Sequence, residues 1–269
     1  MCFLSSVSMG ILFSACQFGS TKTVTLWTNQ SDFAIYTEIY NTKQKKYKLE
    51  TFYFENLTDT LAKTKQYPDI VVGTGLKNSE TRRLFKSLDY FFDELLLKQT
   101  SFYINLLRLG NIDGKQYLLP VSFNLPAVIF SKDNSSLITR PFYLTLDEIQ
   151  SIGKSYNQQT EEGFYTRMGF SPRWDDDFLF ILTRLFNVSY RESNPLAWDA
   201  VALERAMNYV YQWSITTNGS PDKEDDFAFK YLYNPPAVIV TSGKSLFAYI
   251  SSDNLFTLSE DRLNTLDFR

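Results

Sequence analysis

Residues 67–73, YPDIVVG, contain the apolar run that decides the fold. Three apolar residues rich in β-branching follow a Pro-Asp pair and end at a glycine, a pattern typical of a strand buried in a parallel sheet. The preceding segments alternate in the same way between strand and helix. They predict strands at residues 23–28 and 47–54 and helices at residues 32–40 and 57–65. This β-α-β-α-β order predicts an α/β domain with a mostly parallel sheet.

The rest of the chain continues the mixture of helices and strands. Apolar spacing predicts a helical region over residues 84–96, and a Thr145-x-x-Glu148 capping box opens another helix. Residues 120–126 carry two prolines and suit an extended strand that crosses between two lobes. The other predicted elements are a strand at residues 127–130, helices at residues 175–186 and 198–213, a polar acidic loop at residues 218–226 and an apolar β-branched segment at residues 237–240.

The composition excludes several classes of function. The 269 residues include 27 basic and 30 acidic side chains, and the net charge of −3 argues against a general nucleic-acid binder. The chain has no histidine, which removes Ser-His-Asp and Cys-His catalysis and histidine zinc sites. We expect neither a metal nor a cofactor. Aromatic residues reach 16%, a surplus that needs an explanation.

The N-terminal segment has the features of a secretory leader. Residues 1–15 are apolar or small, carry no charge and end directly before Cys16. This run is shorter than the ~20 residues of a membrane-spanning helix and has the length of a signal peptide. It resembles a bacterial lipoprotein signal, in which Cys16 is lipidated and becomes the mature N-terminus. The alternative is a buried N-terminal strand or helix with a chance cysteine.

Four segments, in this order, resemble the sugar-type extracellular solute-binding proteins of bacterial ABC importers. They are residues 24–27, residues 67–72 with 85–93, residues 113–120 with 128–133, and residues 242–249. The resemblance implies an α/β, two-lobed periplasmic-binding-protein-like fold of type II. The expected parts are a signal peptide at residues 1–15, a first lobe at residues 16–122 and a second lobe at residues 123–269. Family members usually continue further, so the fold is expected to be incomplete at the C-terminus.

The same resemblance implies a function. The protein is expected to be no enzyme, but to capture a sugar or similar polar solute between its lobes and deliver it to ABC permease subunits. A lipid anchor would hold it at the periplasmic face of the bacterial cytoplasmic membrane. The aromatic surplus agrees, because sugar clefts stack apolar sugar faces on aromatic rings.

Candidate ligand-binding residues follow from where such folds bind their ligands, beyond the C-terminal ends of the strands. The loops after the first and third strands, the crossing segment and two loops of the second lobe supply them. The candidates are Trp27, Asn29, Ser31, Asp32, Gly73, Thr74, Ser122, Asn124, Arg173, Trp174, Asp175 and Ser252. Trp174 would stack on a sugar ring, and Arg173 would hydrogen-bond its hydroxyls.

Each of these assignments has a structural alternative. Asp32 either caps its helix or contacts ligand, and Asp69 is more simply structural because it precedes its strand. Trp174 alternatively packs in the core while Asp175 caps a helix. The run Asp175-Asp176-Asp177 lacks the alternating spacing of an EF-hand, so a charged helix start is favoured over calcium. Ser122 and Asn124 alternatively form turn hydrogen bonds.

Two further functions stay open at this point. A degenerate surface lipoprotein would serve a structural or adhesive role without a transport ligand. A glycan hydrolase would need a pair of carboxylates, and the sequence offers no pair at a recognisable spacing.

Overall fold

The computed structural model describes residues 21–193 and 195–269, so the predicted leader and Cys16 lie outside the described residues. The chain divides into two compact units. Unit 1 ends at Pro120 and unit 2 begins at Val121, whereas the sequence placed the lobe boundary between residues 122 and 123. Within the described residues, no helix is both long enough and apolar enough to cross a membrane.

Unit 1 is built on a parallel sheet. Its elements are β1 (Lys22–Thr28), α1 (Phe33–Lys43), β2 (Tyr47–Tyr53), α2 (Leu57–Lys63), β3 (Ile70–Val72), α3 (Asp89–Asp93), α4 (Ile104–Leu109), β4 (Asn111–Ile112) and β5 (Lys115–Gln116). The strand order is β2-β1-β3, and β1 is parallel to both neighbours. The predicted β-α-β-α-β order and its parallel sheet are therefore confirmed.

The core of unit 1 is small. Leu57 and Leu61 of α2 are buried together with Leu76, and Trp27 and Phe85 pack against them while half-buried. By contrast, α1 buries none of its described side chains. The packing of unit 1 therefore rests on α2 rather than on α1.

The long helix predicted over residues 84–96 is wrong. Only α3 is an α-helix there, after a 3₁₀ turn at Arg82–Leu84. The Leu88 N–H donates to the Gln116 carbonyl, and the Asp89 carboxylate accepts from the Gln116 N–H, so contacts with β5 replace helical ones. Leu95 has a φ of 57°, which ends helical geometry. Tertiary contacts override the apolar spacing here.

The strand predicted to cross between lobes at residues 120–126 is also wrong. Residues 117–125 have no regular secondary structure, and the next strand begins at Pro126. Proline lacks the N–H that a strand ladder requires, so Pro120 and Pro126 each remove a donor from the segment.

Unit 2 is larger and holds an antiparallel sheet. Its first elements are β6 (Pro126–Ser131), α5 (Leu146–Tyr156), β7 (Gln158–Gln159), β8 (Tyr165–Arg167), α6 (Asp176–Leu185), β9 (Tyr190–Arg191) and β10 (Ala197–Trp198). The others are α7 (Ala200–Thr216), α8 (Pro221–Tyr231), α9 (Pro236–Thr241), β11 (Ala248–Ser251), α10 (Ser252–Phe256), α11 (Glu260–Thr265) and β12 (Leu266–Phe268). In the described sheet, β11 and β12 flank β6, each antiparallel to it.

The core of unit 2 is rich in aromatic rings. The fully buried side chains include Phe130, Leu182, Trp213, Leu246 and Phe247. The predicted capping box is confirmed, because the Thr145 hydroxyl and the Glu148 carboxylate each accept from the other's backbone N–H.

Two glycines let α5 approach its neighbour closely in unit 2. A Cβ on Gly169 would lie 2.1 Å from the Cα of Gly153. The backbone of Gly153 therefore leaves no room for a side chain at position 169. This contact holds α5 against the segment that connects β8 to residues 171–175.

The loop predicted over residues 218–226 is wrong, because most of it forms α8. Ser220 caps this helix by accepting from the Lys223 N–H, and Pro221 occupies its first turn. Serine followed by proline and acidic residues is a helix start, and the acidic composition hid that signal. Residues 237–240, despite their β-branched side chains, are likewise helical in α9.

Candidate functional site

The loops after β1 and β3 come together at the carboxyl edge of the parallel sheet, because these two strands are neighbours in it. The Asn29 amide donates to the Thr74 hydroxyl at 3.1 Å and accepts from the Thr74 N–H at 3.2 Å. A Cβ on Gly73 would lie 2.5 Å from the Asn29 side-chain oxygen, so this approach requires glycine. We call Asn29, Gly73 and Thr74 the edge cluster.

The other candidates after β1 are Trp27, Ser31 and Asp32, which lie within three residues of Asn29 in the sequence. Ser31 and Asp32 are exposed at the start of α1. The Asp32 side chain occupies the N-cap position without forming a capping hydrogen bond, so the structural alternative for it is not realised. Trp27 is half-buried and its ring lies 4.6 Å from that of Phe54, which makes it part of the packing beneath the edge.

Asp69 has a structural role, as predicted from its position before β3. Its carboxylate accepts from the Thr25 N–H at 2.8 Å and from the Thr25 hydroxyl at 2.9 Å, tying the start of β3 to β1. These hydrogen bonds stabilise the ionised form and lower the pKa of Asp69.

In unit 2, the Arg173 guanidinium is turned towards α8. It donates at 2.9 Å to Glu224, a fully buried carboxylate, and also to Asp225 and to the Pro221 carbonyl. Glu224 accepts further bonds from Ser214 and Asn218, both at 2.7 Å. The guanidinium therefore holds the 171–175 loop on α8, and its predicted contact with sugar hydroxyls stays a prediction.

Trp174 packs between aromatic neighbours. Its ring stacks on Phe227 of α8 at 5.3 Å and meets Phe170 edge-on at 5.9 Å. These contacts correspond to the core alternative, and a role in sugar stacking stays a prediction.

Asp175 caps α6, where its Oδ1 accepts from the Phe178 N–H at 2.9 Å. Asp176 and Asp177 follow in the first turn, so the charged helix start favoured by the sequence is confirmed. The described residues contain no group of three or more metal-ligating side chains.

The end of the segment at residues 120–126 meets the start of α10 within unit 2. The Ser252 hydroxyl accepts from the Leu125 N–H, and the Ser252 N–H donates to the Leu125 carbonyl, both at 2.9 Å. Asn124 is among the groups that lower the pKa of the Asp253 carboxylate, while Ser122 is exposed. Hydrogen bonds from Ser251, from backbone and from Asn124 lower the pKa of Asp253. The structure thus brings two candidates, Asn124 and Ser252, into one neighbourhood.

An open groove of about 360 Å³ lies beside this neighbourhood in unit 2. Its lining combines apolar residues, which we call its floor, with polar residues, which we call its rim. The lining residues are Pro235, Pro236, Ala237, Ile250 and Leu258 on the apolar side and Asp175, Asp177, Tyr249, Ser251, Asn254 and Thr257 on the polar side. We call this the β11 groove.

Tyr249 is the aromatic wall of the β11 groove. Its ring meets Phe178 edge-on at 5.9 Å, so one face is supported by the core. Burial raises the pKa of the Tyr249 phenol, and the nearby carboxylates of Asp177, Asp175 and Asp253 raise it further. The phenol is therefore protonated at neutral pH and is able to donate a hydrogen bond.

Of the lining residues, the candidate list contained only Asp175, so it missed polar residues that include Asp177, Tyr249, Asn254 and Thr257. Tyr249 ends the segment that carried the family resemblance, and extending the site from Ser252 back into the strand would have included it. Nothing in the sequence separates Asp177 from Asp176; the rotation of α6 decides which carboxylate lines the groove.

Comparisons with solved structures identify the fold. CpMnBP1 with mannotriose bound has 15% identity and a TM-score of 0.66, over 92% of this chain and 67% of that chain. The galacto-N-biose/lacto-N-biose I-binding protein of a Bifidobacterium longum ABC transporter, in complex with lacto-N-biose, has 13% identity and a TM-score of 0.58, over 93% and 65%. The Thermus thermophilus maltotriose-binding protein with maltotriose has 14% identity and a TM-score of 0.52, over 91% and 65%.

These similarities confirm the predicted fold class, the α/β periplasmic-binding-protein-like fold of type II. The chain spans about two thirds of the length of the structures it matches. No family model and no curated protein sequence matches the chain.

Proposed function

We propose that this chain is the substrate-binding protein of an ABC importer and that its ligand is a saccharide. The observation that carries the proposal is the shared fold, which extends over more than nine tenths of the chain to structures holding mannotriose, maltotriose or lacto-N-biose. The proposed activity is binding and delivery to permease subunits rather than catalysis.

The chemistry of the β11 groove supports this proposal. Saccharides present apolar C–H faces and a periphery of hydroxyls, and they bind where apolar surface adjoins convergent polar groups. Here Ile250 and Leu258 supply apolar floor, and the side chains of Tyr249, Ser251 and Asn254 supply donors and acceptors. Within unit 1, taken by itself, the edge cluster and Asp32 stay proposed ligand-binding residues.

We also propose that Cys16 carries a lipid that anchors the protein at the periplasmic face of the bacterial cytoplasmic membrane. The support is the leader-like composition of residues 1–15.

Calorimetric titration of the full chain with mannotriose, maltotriose and lacto-N-biose tests the proposal. We expect saturable binding of at least one of them. Tyr249→Phe removes a groove hydroxyl and should weaken binding by roughly three- to tenfold, the typical value of one neutral hydrogen bond. Tyr233→Phe removes the same group from an exposed residue that does not line the groove and should leave affinity unchanged. A folded chain that binds none of the three saccharides contradicts the proposal.

A further inference from the structure

The polar rim of the β11 groove is negatively charged. Asp175 and Asp177 line the groove, and the charge of Asp253, which does not line it, is among the causes that raise the pKa of Tyr249. Among the described residues, none of these three carboxylates has an ion-pair partner within 4.0 Å. No described lysine or arginine lines the groove. No side-chain cation of the lining therefore balances these carboxylates, although the N-terminus of α6 interacts favourably with Asp175 and Asp177.

The nearest basic residue in sequence does not provide that balance. Arg173 precedes Asp175 by two positions, but its guanidinium donates to Glu224 and Asp225 of α8. The Glu224 carboxylate is held in place, because it is fully buried and accepts two more hydrogen bonds. Arg173 is thus committed to a different pair of carboxylates.

The carboxylates at the groove are largely open to solvent. Asp177 and Asp253 are exposed, whereas Asp175 and the Tyr249 ring are half-buried. Exposed charges are screened by water and salt, so their effect on a bound sugar is expected to be modest. Burial raises the pKa of the Tyr249 phenol, and the charges of Asp177, Asp175 and Asp253 raise it further.

We propose that the β11 groove selects its saccharide by charge, admitting neutral sugars, favouring amine-bearing sugars and rejecting uronates. The inference rests on the proposed function and specifies its substrate class. A protonated amine is attracted to the unbalanced carboxylates, whereas a uronate carboxylate is repelled by them and finds no cation in the lining. Neutral sugars use the same carboxylates as hydroxyl acceptors.

Direct titration of the full chain with mannose, mannosamine and mannuronate, at equal concentrations and low salt, tests this inference. The three ligands share a ring and differ chiefly in charge. We expect mannosamine to bind roughly two- to fivefold more tightly than mannose, and mannuronate to bind more weakly by a similar factor, because the carboxylates are largely exposed. Raising the ionic strength to about 0.5 M should shrink both differences.

Two matched variants locate the effect. Asp177→Asn removes a carboxylate that lines the groove and should reduce the discrimination between mannosamine and mannuronate several-fold. Asp176→Asn removes an equal charge from the same helical turn, but Asp176 does not line the groove, so discrimination should stay close to that of the unaltered chain.

Equal binding of the three monosaccharides, tighter binding of mannuronate, or no binding of mannosamine overturns the inference. So does an equal effect of the two variants. If mannotriose, maltotriose or lacto-N-biose binds in those same cases, the proposed function stands and only the charge selection fails. If no neutral or charged saccharide binds, the proposed function fails as well.

Discussion

In unit 2, Phe130, Trp213 and Phe247 are fully buried, whereas in unit 1 Tyr36 and Tyr53 are more than half exposed. The aromatic surplus noted in the sequence therefore has two destinations. In unit 2 some rings fill a large core while others, such as Phe142 and Phe256, are exposed; in unit 1 no described aromatic ring is fully buried and many are exposed. Aromatic content alone does not separate core residues from ligand-binding residues; burial of each ring does.

Two helices show the same difference. In α7, Ala202, Ala206, Val210 and Trp213 are buried at helical spacing, so one face of the helix lies against the core. In α1 no described side chain is buried, and Ile35 is 61% exposed. Both helices were predicted from apolar spacing. Spacing predicts that a helix forms but does not show how much of its apolar face is covered.

The largest effect on the free energy of unfolding is expected for a fully buried side chain of α7, compared with an exposed one of α1. Trp213→Ala should lower the free energy of unfolding by about 3–5 kcal/mol, because it removes a large ring from a filled core. Ile39→Ala in α1 should change it by under about 0.5 kcal/mol, because that side chain is already 43% exposed. Urea unfolding measures both. Comparable losses from the two substitutions would contradict the contrast between α7 and α1.

A second comparison concerns the two carboxylates that share Arg173. Glu224→Gln should cost about 2 kcal/mol, because it weakens three hydrogen bonds to a fully buried, charged acceptor. Asp225→Asn should cost under about 0.5 kcal/mol, since the side chain is 64% exposed and its ion pair is screened. Thermal unfolding of the two variants, measured in parallel, shows which substitution costs more stability. A larger loss of stability from Asp225→Asn would contradict the conclusion that Glu224 is the main partner of Arg173.

The smallest effect belongs to unit 1 and depends on pH. The pKa of Asp69 lies below its ordinary value of 3.8, so its bonds to Thr25 stabilise the fold fully above pH 3.8 and are lost as the pH falls through the lower, folded pKa. Asp69→Asn should therefore be less stable than the unaltered chain at pH 7, and the difference should shrink below pH 3.8. Urea midpoints at pH 7 and pH 3 measure it; a difference that grows on acidification would contradict this tether.

Much of unit 1 could be predicted from the sequence because local signals agree there. Alternating β-branched residues define β1 and β2, and the run before Gly73 defines β3. The failures arise where distant contacts decide. Leu88 is drawn to Gln116 rather than into a longer helix, and the acidic start of α8 was taken for a loop although Ser220 and Pro221 marked a helix.

For the candidate site too, the sequence indicated which residues lie at strand ends but not the contacts that depend on distant parts of the chain. The sequence placed Asn29 and Thr74 after two predicted strands, and the pairing of β1 with β3, which the sequence did not specify, brings them together. The orientation of Arg173 was not predictable, because it depends on Glu224 in a helix that the sequence reasoning had missed. Helix rotation likewise selects Asp177 over Asp176 for the groove.

Hydrogen–deuterium exchange of the full chain, with and without saturating mannotriose, tests saccharide binding in the β11 groove most directly. We predict slower exchange in β11 and α10 and in the first turn of α6, the segments that line the groove, with little change in α1. Unchanged exchange in those segments, at a saccharide concentration that saturates binding by calorimetry, would contradict the account.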